Sequence, residues 1–236
     1  MSKPERSFLT RGYLPSAFSL FFIFSVVHAA DPSEDLFDLD DLRVKIRDDM
    51  PYVVVKHGEE DVIIMRRQDV SATIDPPFDS TARDCPPFCV QPMSLHPGVE
   101  TIGELELIEY LQRVSAGDRD VLIIDSRTKA YTQFGTIPGA VNIPFTELDP
   151  LYTPESEIVD TLELEFNAFI GDELWDFRHA RTLVFFCNGP WCGQSPTNIK
   201  VLLRLGYPPG KLKWYRGGIQ AWEQFGLTTV RDGEWR

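Results

Sequence analysis

Cys187 and Cys192 stand in the stretch FFCNGPWCGQSPTNI, residues 185–199, between an apolar run and a helix-like run. Such a pair supports three chemistries: a disulfide, a metal clip, or a nucleophilic sulfur at the mouth of a sheet. A cysteine directly after a buried strand lies at the carboxyl end, where open α/β sheets bind their ligands. Residues 188–194 must then curl back to the start of the helix. A loop of that kind can turn several backbone N–H groups inward as a nest for anions, and the helix dipole adds partial positive charge. Both favour a thiolate over a thiol and a persulfide anion equally well. Neither a metal nor a histidine is required.

The elements that must hold this loop can be read from the apolar pattern. VLIID at 121–125, AVNIPF at 140–145 and TLVFF at 182–186 are short apolar strands alternating with helical stretches, the pattern of a parallel α/β sheet. TIGELELIEYLQRV carries Ile102, Leu105, Ile108 and Leu111 at helical spacing, with Thr101 as the expected cap and Glu104 completing a capping box. After the cysteine loop, Ser195 is the expected cap, Pro196 the first helical residue, and TNIKVLLRL runs to Gly206. KLKWY is a last strand and GGIQAWEQFG a last helix. Residues 151–181, with Trp175 and Phe177, are a helical excursion.

Before this domain, YVVVKHGEEDVIIMR has two β-branched runs around His57-Gly-Glu-Glu-Asp61, a hairpin signature. Residues 75–98 are dense in proline and turn formers, which sets the boundary. The expected division is a leader at 1–29, a small β-rich module with a Pro-rich linker at 30–98, and the α/β domain at 99–236. The leader reading rests on Lys3, Arg6 and Arg11, a short apolar run from Phe18, and small residues at Val27 and Ala29 before a cut at Ala30. It implies export to a periplasmic or extracellular space, with no stable membrane span once cleaved. A formal charge of −13 among 236 residues argues against nucleic acid or an anionic membrane as partner.

Three motifs in order resemble the rhodanese superfamily over residues 99–230. IIDSRTKAYTQFGTIPGAVNIP, 123–144, is similar to its N-terminal signature, WYRGGIQAWEQFG, 214–226, to its C-terminal one, and FFCNGPWCG falls where its catalytic loop lies. The resemblance implies a rhodanese-like parallel sheet flanked by helices, and sulfane-sulfur transfer through a persulfide on Cys187. It makes Cys187 and Cys192 catalytic, and Asn188, Gly189, Pro190, Trp191, Gly193, Gln194 and Ser195 substrate-binding, with no metal and no cofactor. The implied partners are a small sulfur donor, a thiol or cyanide-like acceptor, and a redox or sulfur-carrier protein. Asp125, Arg127, Gly217 and Trp222 match the signatures as residues that hold the fold.

Two departures qualify the match. Residues 188–199 contain no basic side chain, where active relatives carry Arg or Lys, and Cys192 stands inside the loop. Cys192 either resolves a persulfide on Cys187 or closes a permanent staple with it. The phosphatase relatives need an Arg six residues after the cysteine, a position that is Gly193 here. The second pair, CPPFC at 85–89, would lie roughly 12 Å apart at Cα if the prolines ran extended, too far for a disulfide, and only a turn at Pro87 and Phe88 would allow local pairing. Extended, it would offer a resolving thiol, or thiolates for a zinc site shared with the loop. The reading opposed to an enzyme is a silent binding or scaffold module with its cysteines locked as disulfides.

Overall fold

The strands expected at 121–125 and 182–186 form with those bounds, because both of their faces are apolar and each needs a covered sheet to bury them. The computed structural model describes residues 39–171, 174–231 and the backbone of 234–235; the leader reading at 1–29 lies outside them. In chain order the elements begin with β1 (Val53–His57), β2 (Glu60–Ile64), β3 (Glu100–Ile102), α1 (Glu104–Ser115), β4 (Val121–Asp125) and α2 (Lys129–Thr132). They continue with β5 (Val141–Asn142), α3 (Phe145–Leu148), α4 (Glu155–Leu164), β6 (Phe169–Gly171), β7 (Leu174–Asp176) and β8 (Thr182–Phe186). The last are α5 (Gln194–Arg204), β9 (Leu212–Tyr215), α6 (Gly218–Gln224), β10 (Val230–Arg231) and β11 (Glu234–Trp235).

β3, β9, β8, β4 and β5 make a five-stranded parallel sheet in that order. Alternate residues of each strand feed two separate apolar layers. Val121, Ile123, Val184, Phe186 and Tyr215 face α1 and α6, whereas Ile124, Leu183, Phe185, Leu212 and Trp214 face α4 and α5. The antiparallel hairpin β1–β2 turns at Gly58 (φ 60°) and sends Val53, Val55, Val62 and Ile64 into the layer that holds α1 and Trp222. The described residues form one compact unit. Among the described residues, no helix is long and apolar enough to cross a membrane.

Four local expectations need correction. Thr101 does not cap α1: it pairs with Trp214 as part of edge strand β3, its Oγ1 donating to the Met93 carbonyl at 2.6 Å. Gly103 takes the cap position, and its N–H donates to the Glu106 carboxylate at 3.0 Å, so only the carboxylate half of the box forms, two residues later. The strand at 140–145 shrinks to Val141–Asn142, since it lies at the sheet edge and Pro144 has no N–H for a ladder. The excursion at 151–181 is helical only in its first half. β6 and β7 follow as a hairpin, and Trp175 stacks on Phe177, which packs on Tyr207.

Ser195, too, is not a cap. α5 starts at Gln194 from Gly193, whose carbonyl accepts from the Thr197 N–H at 2.9 Å, so Ser195 and Pro196 lie inside the first turn. Ser195 Oγ lies 3.1 Å from Ser126 Oγ, within hydrogen-bond reach.

Candidate active site

β8 delivers Cys187 to the carboxyl edge of the sheet, and the chain turns at once. Cys192 N–H closes the turn on the Gly189 carbonyl at 2.9 Å. The loop's outward carbonyls are held by the start of α6: Ile219 N–H donates to Cys187 O at 3.0 Å and Gln220 N–H to Asn188 O at 2.9 Å. That approach fixes Gly218, which has φ 58°; a Cβ there would overlap the Cys187 carbonyl oxygen and lie 2.7 Å from Gly189 N. The positive φ therefore belongs to Gly218, and Gly217 has φ −59°. A Cβ on Gly217 would come within 2.7 Å of Ala221 Cβ, so both glycines serve close packing.

Cys187 is 2% exposed, and as a thiol its Sγ lies 3.5 Å from the Cys192 carbonyl oxygen. Burial pushes this thiol up, but hydrogen bonds from the Cys192 thiol, the Ser195 amide and hydroxyl, and the Gly189 amide outweigh it. The balance leaves Cys187 below the ordinary thiol range. Cys192 goes the other way. Burial, and then the neighbouring Cys187 sulfur, raise it well above that range, and its Sγ sits 3.6 Å from Gln194 Oε1 and 3.9 Å from Asn188 Nδ2. The two thiols are thus shifted in opposite directions, and Cys187 is the more readily ionised of the pair.

Both loop cysteines are free, which corrects the staple reading for this pair. The Cys192 carbonyl oxygen lies 3.5 Å from the Cys187 sulfur, and the Cys192 sulfur lies 3.6 Å from Gln194 Oε1. The pair at 85 and 89 is corrected in the opposite sense. Cys85 and Cys89 form a disulfide with Cα atoms 4.7 Å apart, because residues 84–89 turn instead of extending. Phe88 N–H reaches Asp84 O and Cys89 N–H reaches Pro87 O, each at 3.0 Å. Sulfurs bonded in this way are neither a resolving thiol nor thiolate ligands. Among the described residues, no group of three or more His, Cys, Asp or Glu side chains gathers as a metal site.

The other loop residues divide. Gly189 is buried and needed for space, since a Cβ there would meet Gln220 Oε1 at 3.0 Å and Trp191 Nε1 at 3.1 Å. Asn188, Gly189 and Ser195 line the sulfurs; Gln194 touches Cys192. Pro190 and Trp191 meet the Pro-rich segment: Gln91 N–H donates to Pro190 O at 2.8 Å, Phe88 meets the Trp191 ring edge-on at 5.5 Å, and the Arg83 guanidinium lies 3.8 Å above that ring. Gly193 begins the helix and has open space at its Cα.

Two polar residues escape the sequence reading. Ser126 and Asn198 are fully buried, and Asn198 Nδ2 donates to Ser126 Oγ at 3.2 Å, tying the end of β4 to α5 beneath the loop. The signal for Asn198 was a polar residue at helical spacing on the apolar face of α5. Beside Ser126, the Asp125 carboxylate binds Arg127 through Nε and Nη2 at 2.8 and 2.6 Å, both side chains fully buried, as expected for residues that hold the fold.

A family model described as the rhodanese-like domain matches residues 107–225. The chain belongs to this family. A curated relative, the HTH-type transcriptional regulator Rv0324 of Mycobacterium tuberculosis, is 28% identical over 116 residues, 47% of this chain and 41% of that protein. The match therefore spans about two fifths of the regulator's length. Solved structures similar to this rhodanese-like chain include protein RPA3614 of Rhodopseudomonas palustris, at 22% identity and TM-score 0.41, over 58% of this chain and 88% of that one. The human single-domain sulfurtransferase TSTD1 is 24% identical with TM-score 0.34, over 53% of this chain and 96% of that one. The thiosulfate sulfurtransferase of Pseudomonas aeruginosa is 20% identical with TM-score 0.39, over 58% and 21%.

Proposed function

We propose that this rhodanese-like domain is an exported sulfurtransferase that moves sulfane sulfur through a persulfide on Cys187. One observation carries the reading: Cys187 is a free thiol at the end of β8, and hydrogen bonds from the Gly189 amide and the Ser195 amide and hydroxyl favour its ionised form. The Cys187 thiolate attacks the outer sulfur of a donor such as thiosulfate. The donor S–S bond breaks, sulfite leaves with its electron pair, and Cys187 keeps the sulfur as a persulfide anion. The same donors that held the thiolate hold this anion.

Two exits follow. A small acceptor such as cyanide takes the outer sulfur and returns the Cys187 thiolate. Alternatively the Cys192 sulfur attacks the inner sulfur, the Cys187–Cys192 bond forms, and the outer sulfur leaves as hydrosulfide carrying the Cys192 proton. That second exit needs a dithiol to restore the free pair. The high thiol range of Cys192 makes it the slower route at neutral pH. Export is supported by the disulfide at 85 and 89, a bond that persists in oxidising compartments.

The test is cyanide-dependent thiocyanate formation by the wild type and Cys187→Ser, with mass spectrometry of the protein after donor. A gain of about 32 Da on Cys187, the mass of one sulfur as expected for persulfidation, supports the reading. Thiocyanate formation undiminished in Cys187→Ser refutes it. A second reading, a silent module that binds a partner, is favoured by the 2% exposure of Cys187. It requires that no donor ever load this sulfur.

A further inference from the structure

The Pro-rich segment 76–93 is a strap across the outer face of the cysteine loop. It is anchored at both ends. Phe78 is buried in the core and its carbonyl accepts from Gln220 Nε2 at 3.0 Å; at the other end Arg216 Nη2 donates to Gln91 O at 2.9 Å and Arg216 Nε to Pro92 O at 3.2 Å. Between the anchors, the strap rests on the loop through Arg83 and Phe88 on the Trp191 ring and Gln91 N–H on Pro190 O. Trp191 is itself turned inward by its Nε1–H donating to Gln220 Oε1 at 2.8 Å. The loop's rim is therefore packed under the strap, and the sulfur it surrounds is 2% exposed.

The disulfide lies in the free span, between Arg83 and Gln91, with Cys85 exposed. We infer that the Cys85–Cys89 bond is a redox-exchange site for a dithiol reductant, and that its reduction slackens the strap and uncovers Cys187. The bond shortens the span: its Cα atoms are 4.7 Å apart, whereas the same residues extended would reach roughly 12 Å. Phe88 stands inside the closed ring of residues, so opening the ring frees the aromatic contact to Trp191. Closing so short a loop adds little to global stability compared with a long one, which leaves the bond a local task.

The exchange balances simply. One thiolate of the dithiol attacks the exposed Cys85 sulfur, the bond to Cys89 breaks, and Cys89 leaves as thiolate; the second thiol of the reductant then displaces Cys85 and closes its own disulfide. Two electrons pass to the strap, and the two protons end on Cys85 and Cys89. The significance for sulfur transfer rests on the reading of Cys187 proposed above. A sulfur donor would load the enzyme only where dithiols are also present.

The experiment measures labelling of Cys187 by iodoacetamide, located by fragment mass spectrometry, on three samples of the full chain. These are oxidised wild type, wild type reduced with dithiothreitol and then desalted, and unreduced Cys85→Ser/Cys89→Ser. The labelling rate should rise about tenfold or more in the second and third relative to the first, as for release of a local covering segment. Equal rates in all three overturn the inference, and the reduced native chain decides it even if the double variant fails to fold. The two proposals fail separately. Redox-dependent labelling together with thiocyanate formation by Cys187→Ser would sink transfer through Cys187 alone, while uniform labelling with transfer lost in Cys187→Ser would sink the strap alone.

Discussion

Two strand ends lie side by side in the sheet, with Asp125 at the end of β4 paired to Phe186, the residue before Cys187. At the first, every charge has its partner. Asp125 accepts from the Arg127 amide, from its guanidinium, and from Thr136 Oγ1 at 2.8 Å, while Arg127 Nη2 also donates to Gly135 O at 2.6 Å. At the second, polar atoms are left over: Asn188 Oδ1 and Asn198 Oδ1 are buried without a hydrogen-bond partner among the described residues. A satisfied buried network specifies structure, whereas unpaired buried atoms leave hydrogen-bonding capacity that the described residues do not use. The same edge of one sheet thus carries a lock and an opening.

The sharpest way to break this contrast is to unlock the lock. Arg127→Met leaves the buried Asp125 charge unmatched and should lower unfolding stability by about 3–5 kcal/mol, measured by urea titration. A loss within half a kcal/mol, on the order of a surface substitution, would deny the pair its structural role. Next in size is Gly218→Ala, which forces a side chain into the Cys187 carbonyl at a left-handed backbone position. Such strain costs about 1–3 kcal/mol and should also depress Cys187 labelling. Gly193→Ala is its control: φ there is −90° with only Gln91 Nε2, at 3.8 Å, near the added carbon, so stability and labelling should stay nearly unchanged.

Cys192→Ala tests the opening with little cost to the fold. Losing the Cys192 donor disfavours the Cys187 thiolate, so the pH midpoint of Cys187 alkylation should move upward from its wild-type position below the ordinary thiol range. A persulfide formed on Cys187 should also persist, because the intramolecular exit to hydrosulfide is gone. An unmoved midpoint would show that the loop amides act alone.

The smallest effect is expected away from both strand ends, at Glu223 of α6. Burial, and then the Asp75 charge, raise its carboxyl from 4.5 to about 7, with Arg67 partly offsetting them. Since the folded state keeps this proton while the unfolded chain loses it, the contribution is full below about pH 4.5 and lost as pH rises through about 7. Glu223→Gln should flatten that fall and raise the melting temperature at pH 8 by a few degrees, roughly what a change near 1 kcal/mol does in a domain of this size. A variant that melts below the wild type at pH 8 would contradict the assignment.

The lock and the opening were unequally legible in the sequence. β4 and β8 declared themselves because five-residue apolar runs have no other stable place than a covered parallel sheet. Asp125 and Arg127 were recognisable at their ends, as was Cys187. The strand Glu100–Ile102 was hidden inside a convincing helix start, because its partner β9 comes more than a hundred residues later. The covering of the cysteine loop was hidden for the same reason. Nothing local in CPPFC says that its prolines turn, and nothing in NGPWC says that its tryptophan will lie beneath an arginine from residue 83. Contacts distant in sequence decide both, and periodicity does not report them.

One side chain joins these distant pieces. Gln220 offers its amide oxygen to Trp191 of the loop and its amide nitrogen to Phe78 of the strap. Only a group that both accepts and donates can do this, so Glu would lose the strap, Lys would lose the loop, and Asn, one methylene shorter, would fall short of one of them. Position 220 therefore works as an address label. Among rhodanese-like sequences, a glutamine two residues after the Gly-Gly pair should travel with a proline-rich, cysteine-paired segment upstream, and chains lacking one should be free to lose the other.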